Sequence, residues 1–152
     1  MKTLARERDK AEILIRLKNV QLDSVPVWGR MSAHQMICHL SDAFRMVTGQ
    51  KTVSSASGPL QRTVVKWIAL YLPVHWPVGI LTRPEIDQAA GGTCPTDFAA
   101  DVAELESLVA VLTDRRKGFD PPAHPIFGPL SQRAWLRWAY LHMDHHLRQF
   151  GT

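Results

Sequence analysis

The sequence predicts an all-α protein, a four-helix bundle with an extra short helix and loop excursion between its second and third long helices. Three observations carry this expectation. Four long stretches place apolar residues at helical spacing. All ten prolines and all nine glycines fall outside those stretches, with Pro59 suited to the first turn of a fifth, shorter helix. No stretch alternates as a half-buried strand does, and no hairpin turn signal occurs. With 152 residues, a single domain over 1–152 is expected.

The first helix is expected over about Thr3 to Leu22, with Ala11, Leu14, Ile15 and Leu17 among its apolar positions. The segment DSVPVWGR then reads as a loop. Ser32-Ala33-His34-Gln35 fits a capping box and opens the second helix, which runs to Thr48. Gly49 stands where a left-handed cap residue belongs. Residues 50–58 form a polar linker, a short helix follows from Pro59 to Leu72, and Pro73 to Pro95 is a Pro/Gly-rich excursion. Thr96 is the expected cap of the third long helix, with an inward stripe of Phe98, Val102, Leu105, Val109 and Leu112 and an end at Gly118. The loop GFDPPAHPIFGPL leads to Ser131, the expected cap of the last helix. Helices joined in this way bury their apolar stripes against one another.

Composition narrows the function. The chain is 45% hydrophobic and 21% charged, ordinary values for a globular protein. Its formal charge of +4 is spread out and lacks the clustered basic footprint of a nucleic-acid binder. Cys38 and Cys94 make neither a disulfide framework nor a cysteine zinc site, and reduced thiols in a cytoplasm are expected. The N-terminus mixes charges of both signs and lacks a leader's apolar core. Val64 to Leu81 is the most apolar segment, but Lys66, Pro73, His75 and Pro77 break it, so no membrane partner is expected.

Chemistry concentrates in LHMDHHLRQF, residues 141–150. At about 100° per residue, Ala139, His142 and His146 fall on the face centred on Trp135. Arg133, Arg137, Asp144 and Arg148 fall on the far side, and His145 lies at the flank. Histidines at i and i+4 stand one above the other and can reach one ion. Met143 follows His142, so the glutamate of a zinc-protease motif is missing. A third histidine, His39, borders the apolar arc of the second helix with Met36, Ala43 and Met46. Three histidines from facing helices, with one position open, make a catalytic zinc pattern. Cys38 is turned away from His39 by one residue, His34 lies on the polar side, and His75 lies in the excursion.

WGRMSAHQMICHL at 28–40, HPIFGPLS at 124–131 and LHMDHHLRQFG at 141–151 resemble the DinB/YfiT-like superfamily of metalloenzymes, in a branch known as a domain of unknown function. The resemblance implies up-down-down-up topology, a homodimer, and a divalent ion, zinc or nickel, held by His39, His142 and His146. It also implies a low-molecular-weight thiol substrate of the bacillithiol, mycothiol or glutathione type, since some relatives are thiol transferases or isomerases.

Trp28, Arg30, His124 and Gln149 are the pocket candidates. Trp28 and Arg30 precede the second helix, His124 precedes the last, and Gln149 shares the face of His146. Trp67, Tyr71 and Trp76 form either a lid or packing for a bundle end or dimer interface. The expected function is a metal-dependent enzyme of hydrolysis or thiol transfer. The alternative is a non-catalytic stress or small-molecule-binding bundle whose histidines are hydrogen-bonded core groups without metal.

Overall fold

The computed structural model describes residues 1–114 and 120–152. It holds five α-helices: α1 (Glu7–Lys18), α2 (Ala33–Val47), α3 (Lys66–Tyr71), α4 (Phe98–Thr113) and α5 (Gln132–Gln149). A π-helical turn, Gln61–Val65, leads into α3, and a 3-10 turn, Pro84–Ile86, lies in the excursion. Among the described residues no strand occurs; one isolated bridge pairs His124 with Gly128.

α1 is shorter than expected at both ends. The carboxylate of Asp9 accepts from the Thr3 N–H at 3.0 Å, which folds residues 3–6 into a turn before the helix. At the other end Asn19 caps the helix, and Val20 drops into the core instead of extending the spiral. Its inward line is Ile13 and Leu17, while Ala11 and Ile15 face out.

α2 begins as expected. Ser32 Oγ accepts from Gln35 N at 3.1 Å and Gln35 Oε1 accepts from Ser32 N at 2.9 Å, so two orphan donors are satisfied. Gly49 follows its end with φ 75°, a conformation that favours glycine. Asp97, and not Thr96, caps α4 by accepting from Ala100 N at 2.8 Å. α4 stops at Thr113; Gly118 lies outside the described residues. Its buried line is Leu105, Leu108, Val109 and Leu112, with Phe98 and Val102 half-buried. Ser131 caps α5 as expected.

α2 packs on α4 and α5, α1 on α5, and α3 on α5. The core joins Ile13 and Leu17 of α1, Met36, Leu40 and Phe44 of α2, Leu105 and Val109 of α4, and Trp135, Met143 and Leu147 of α5. Arg137 departs from its expected place on the far side of α5. It is buried, and its guanidinium donates to the carbonyls of Leu70 and Lys2, tying α5 to α3 and the N-terminal turn. The excursion is held by a buried carboxylate: Asp42 accepts from the N–H and hydroxyl of Thr93, both at 2.7 Å, and from Gln88 at 3.2 Å.

Candidate metal centre

α2 carries His39 and α5 carries His142 and His146 into the core, and all three are buried. Their ring centroids form a triangle with sides of 5.1, 4.8 and 4.9 Å. One nitrogen from each ring lies within 4.8 Å of the other two. His39 Nε2 stands 3.1 Å from His142 Nε2. Nitrogens bound to one tetrahedral zinc at about 2.0–2.1 Å are roughly 3.3 Å apart, so this pair already has the spacing of co-ligands.

Two of the rings are oriented from behind. His39 Nδ1 is 2.7 Å from the carbonyl of Ile86, which can only accept, so Nδ1 carries the proton. Gln149 Nε2 donates to the Trp28 carbonyl at 2.9 Å, which turns Oε1 towards His146 Nδ1, also at 2.9 Å. Nδ1 of His146 is therefore the donor as well. Both rings then carry an unprotonated Nε2, the tautomer a metal requires. His142 Nδ1 is buried without a partner among the described residues.

Electrostatics favours the neutral rings. Burial pushes the pKa of His39 down, against the opposing effect of the Ile86 bond. His142 is held well below the ordinary imidazole value by burial and then by the proximity of His146 and His39. Burial and His39 do the same to His146. Three neutral nitrogen donors, with no carboxylate or thiolate among them, suit a borderline divalent ion such as zinc or nickel. The residues present fit the group.

The sequence profile of the DinB superfamily matches residues 3–150. The chain belongs to the DinB superfamily. No curated protein and no solved structure matches it.

In this DinB-superfamily chain two cavities reach the cluster of three histidines. The larger, about 500 Å³, is lined by all three together with His124, His145, Trp76, Phe127 and Trp138, and by no carboxylate. The smaller, about 370 Å³, lies on the flank of α5. The four pocket candidates divide between them. His124 faces the large cavity, whereas Trp28, Arg30 and Gln149 line the small one, which also reaches His145 and His146. His124 Nδ1 accepts from the N–H groups of Ile126 and Phe127, both at 3.1 Å, and burial pushes its pKa down to about 3. It shapes the loop before α5 as well as the cavity wall.

The sequence reading gives no role in the site to His145 or Ile86, and it leaves Trp76 open as either lid or packing. His145, placed at the flank by helical spacing, is half-buried between Trp28 and Trp76, with ring centroids 6.0 and 6.1 Å away. Trp76 covers the cluster: its ring lies 6.1 Å from that of His142, and its Nε1 donates to the Ala69 carbonyl at 2.9 Å. Ile86 contributes only a backbone carbonyl, which leaves no side-chain signal. Trp67 and Tyr71 are exposed and do not line either cavity.

A second set of donors, His34, Cys38 and Asp101, sits between α2 and α4. Asp101 Oδ2 already accepts from His34 Nε2 at 2.7 Å, Cys38 Sγ at 3.6 Å and Thr96 N at 3.2 Å. Burial, with Asp101 beside it, pushes the Cys38 thiol up to about 12. This group is a polar tie between helices, and it accounts for Cys38 turning away from His39.

Proposed function

We propose that this chain is a metal-dependent transferase that holds a divalent ion, zinc or nickel, through His39, His142 and His146. The up-down-down-up order of a DinB bundle belongs to the same reading. The observation that carries it is the pairing of three buried, neutral imidazoles with acceptors that fix two of them as Nε2 ligands. Mere core histidines have no need of convergent lone pairs. When bound, the ion supplies positive charge that lowers the pKa of a nucleophile in the large cavity.

Thiol transfer fits this cavity better than hydrolysis. A free thiol ionises near 8.5, about seven units below water at 15.7, so a modest stabilisation makes it a nucleophile at neutral pH. No carboxylate lines the cavity to serve as a general base for water. The chain's own part is then to hold the ion, exclude solvent with Trp76 and Trp138, and orient the ligand rings through Ile86 and Gln149. A low-molecular-weight thiol and a small electrophile are the substrates of this reading.

Elemental analysis of untagged protein tests the site. One divalent ion per chain is expected, lost in His39→Ala and His142→Ala while helical circular dichroism persists. A wild-type protein that takes up no zinc, nickel or other divalent ion on dialysis makes the histidines hydrogen-bonded core groups instead. Turnover is checked by following thiol consumption with an activated electrophile, with and without chelator.

A further inference from the structure

The mouth of the large cavity carries exposed apolar side chains. Of the sixteen large hydrophobic side chains exposed among the described residues, ten lie between Leu60 and Leu81. Five of those ten, Val65, Ile68, Val74, Ile80 and Leu81, also line the cavity. The same side chains are thus wall and rim, and Leu81 is 90% exposed. Scattered exposed apolar residues need no explanation, but a contiguous group around a cavity mouth marks a binding surface.

Charge adds a second constraint. Between Lys51 and Arg83 the sequence contains no acidic residue. Arg83 and His75 line the cavity, and no carboxylate does. The one indole N–H that Trp76 offers is already given to Ala69, so this wall is hydrocarbon towards a guest. Further in, Trp76, Phe127 and Trp138 lead to the three histidines.

We propose that this cavity receives an elongated apolar molecule carrying no positive charge, which enters over the rim of Val74, Ile80 and Leu81. Its body lies along the aromatic wall and its reactive end reaches the histidines. This names the electrophile class for the transfer proposed above and rests on that reading in that respect; capture of the apolar body itself needs no ion.

Calorimetric titration of butanoate, hexanoate, octanoate, decanoate and octylamine into zinc-loaded and metal-stripped wild-type protein tests it. Each added methylene buried in the cavity is expected to tighten binding by about threefold to fourfold in both forms. Octylamine is expected to bind at least tenfold more weakly than octanoate in the stripped form. The double variant Ile80→Ser, Leu81→Ser alters only exposed positions and is expected to flatten the chain-length series. Binding independent of length, or octylamine matching octanoate, overturns the proposal. So does sedimentation showing that the double variant turns a dimer into a monomer, because a second copy would then cover the rim. A steep series without any zinc uptake sustains the apolar site and removes the metal reading; zinc uptake with a flat series does the reverse.

Discussion

Gln149 shows how much of the candidate centre rests on groups behind the three histidines. Its amide accepts from His146 and donates to the Trp28 carbonyl, so it fixes both a tautomer and a ring orientation. Outer partners of this kind are worth about tenfold to a hundredfold in metal affinity. Gln149→Leu is expected to weaken zinc binding by that range while leaving one site per chain, measured by competition with a chromogenic chelator. His124 acts on stability instead. Its folded pKa of about 3 lies below the ordinary imidazole value, so the unfolded chain binds more protons in between. The stability it contributes is complete above about pH 6.5 and declines as pH falls towards 3, by up to about 1.4 kcal/mol per pH unit. Asparagine can still accept the N–H groups of Ile126 and Phe127, but cannot titrate. His124→Asn is therefore expected to be less stable than wild type near pH 8, where the buried ring packs on Phe127, Trp135 and Trp138, but to lose less further stability on acidification, in urea titrations at several pH values. A parallel acid limb in the two proteins would exclude His124 as its source.

At the scale of elements, α2 does more than carry His39. Asp42, one turn further on, is fully buried because the excursion folds back over it. Burial raises its pKa, but the two bonds from Thr93 and the nearby Lys51 outweigh that and hold it below the usual carboxylate value. This network fixes the segment whose Ile86 carbonyl orients His39. Asp42→Ala is expected to cost about 3 kcal/mol in chemical denaturation, the usual penalty for breaking a buried charged network. It is also expected to lower zinc affinity without removing a ligand. A loss of stability with unchanged affinity would separate the anchor from the centre. The helical periods of α2 and α5 were enough to bring His39, His142 and His146 to one place, because each period is local and the apolar arcs must face each other. They were not enough for Asp42 or Arg137. Spacing alone puts Arg137 on the far side of its helix and does not single out Asp42, and both are buried by segments distant in sequence. The start of α1 was misread for a related reason: Asp9 competes for the backbone N–H of Thr3.

On the scale of the whole molecule, the excursion between Tyr71 and Phe98 converts a helix packing into a container. No functional motif marks it, yet it supplies Trp76, the Ile86 carbonyl and most of the cavity rim. Its role was hard to read because proline-rich segments have no period from which a facing can be inferred. Among the described residues no helix is long and apolar enough to cross a membrane. The three histidines come from two helices and one of them is braced by the excursion, so an ion bound to them would couple all three parts and favour the folded state. A ligand at a hundred times its dissociation constant adds about 2.7 kcal/mol. For a chain of this size that corresponds to a rise in melting temperature of roughly 5–10 °C. Zinc added to metal-stripped protein at pH 7.5 is expected to produce that rise and a chelator to reverse it. Protons compete with the ion for the same nitrogens, but burial holds all three pKa values below that of free imidazole. The zinc-dependent rise is therefore expected to survive down to pH 6 and to vanish only at lower pH. In His39→Ala it is expected to be absent at every pH. An equal rise in that variant would place the ion elsewhere, with the His34, Cys38 and Asp101 group the first place to look.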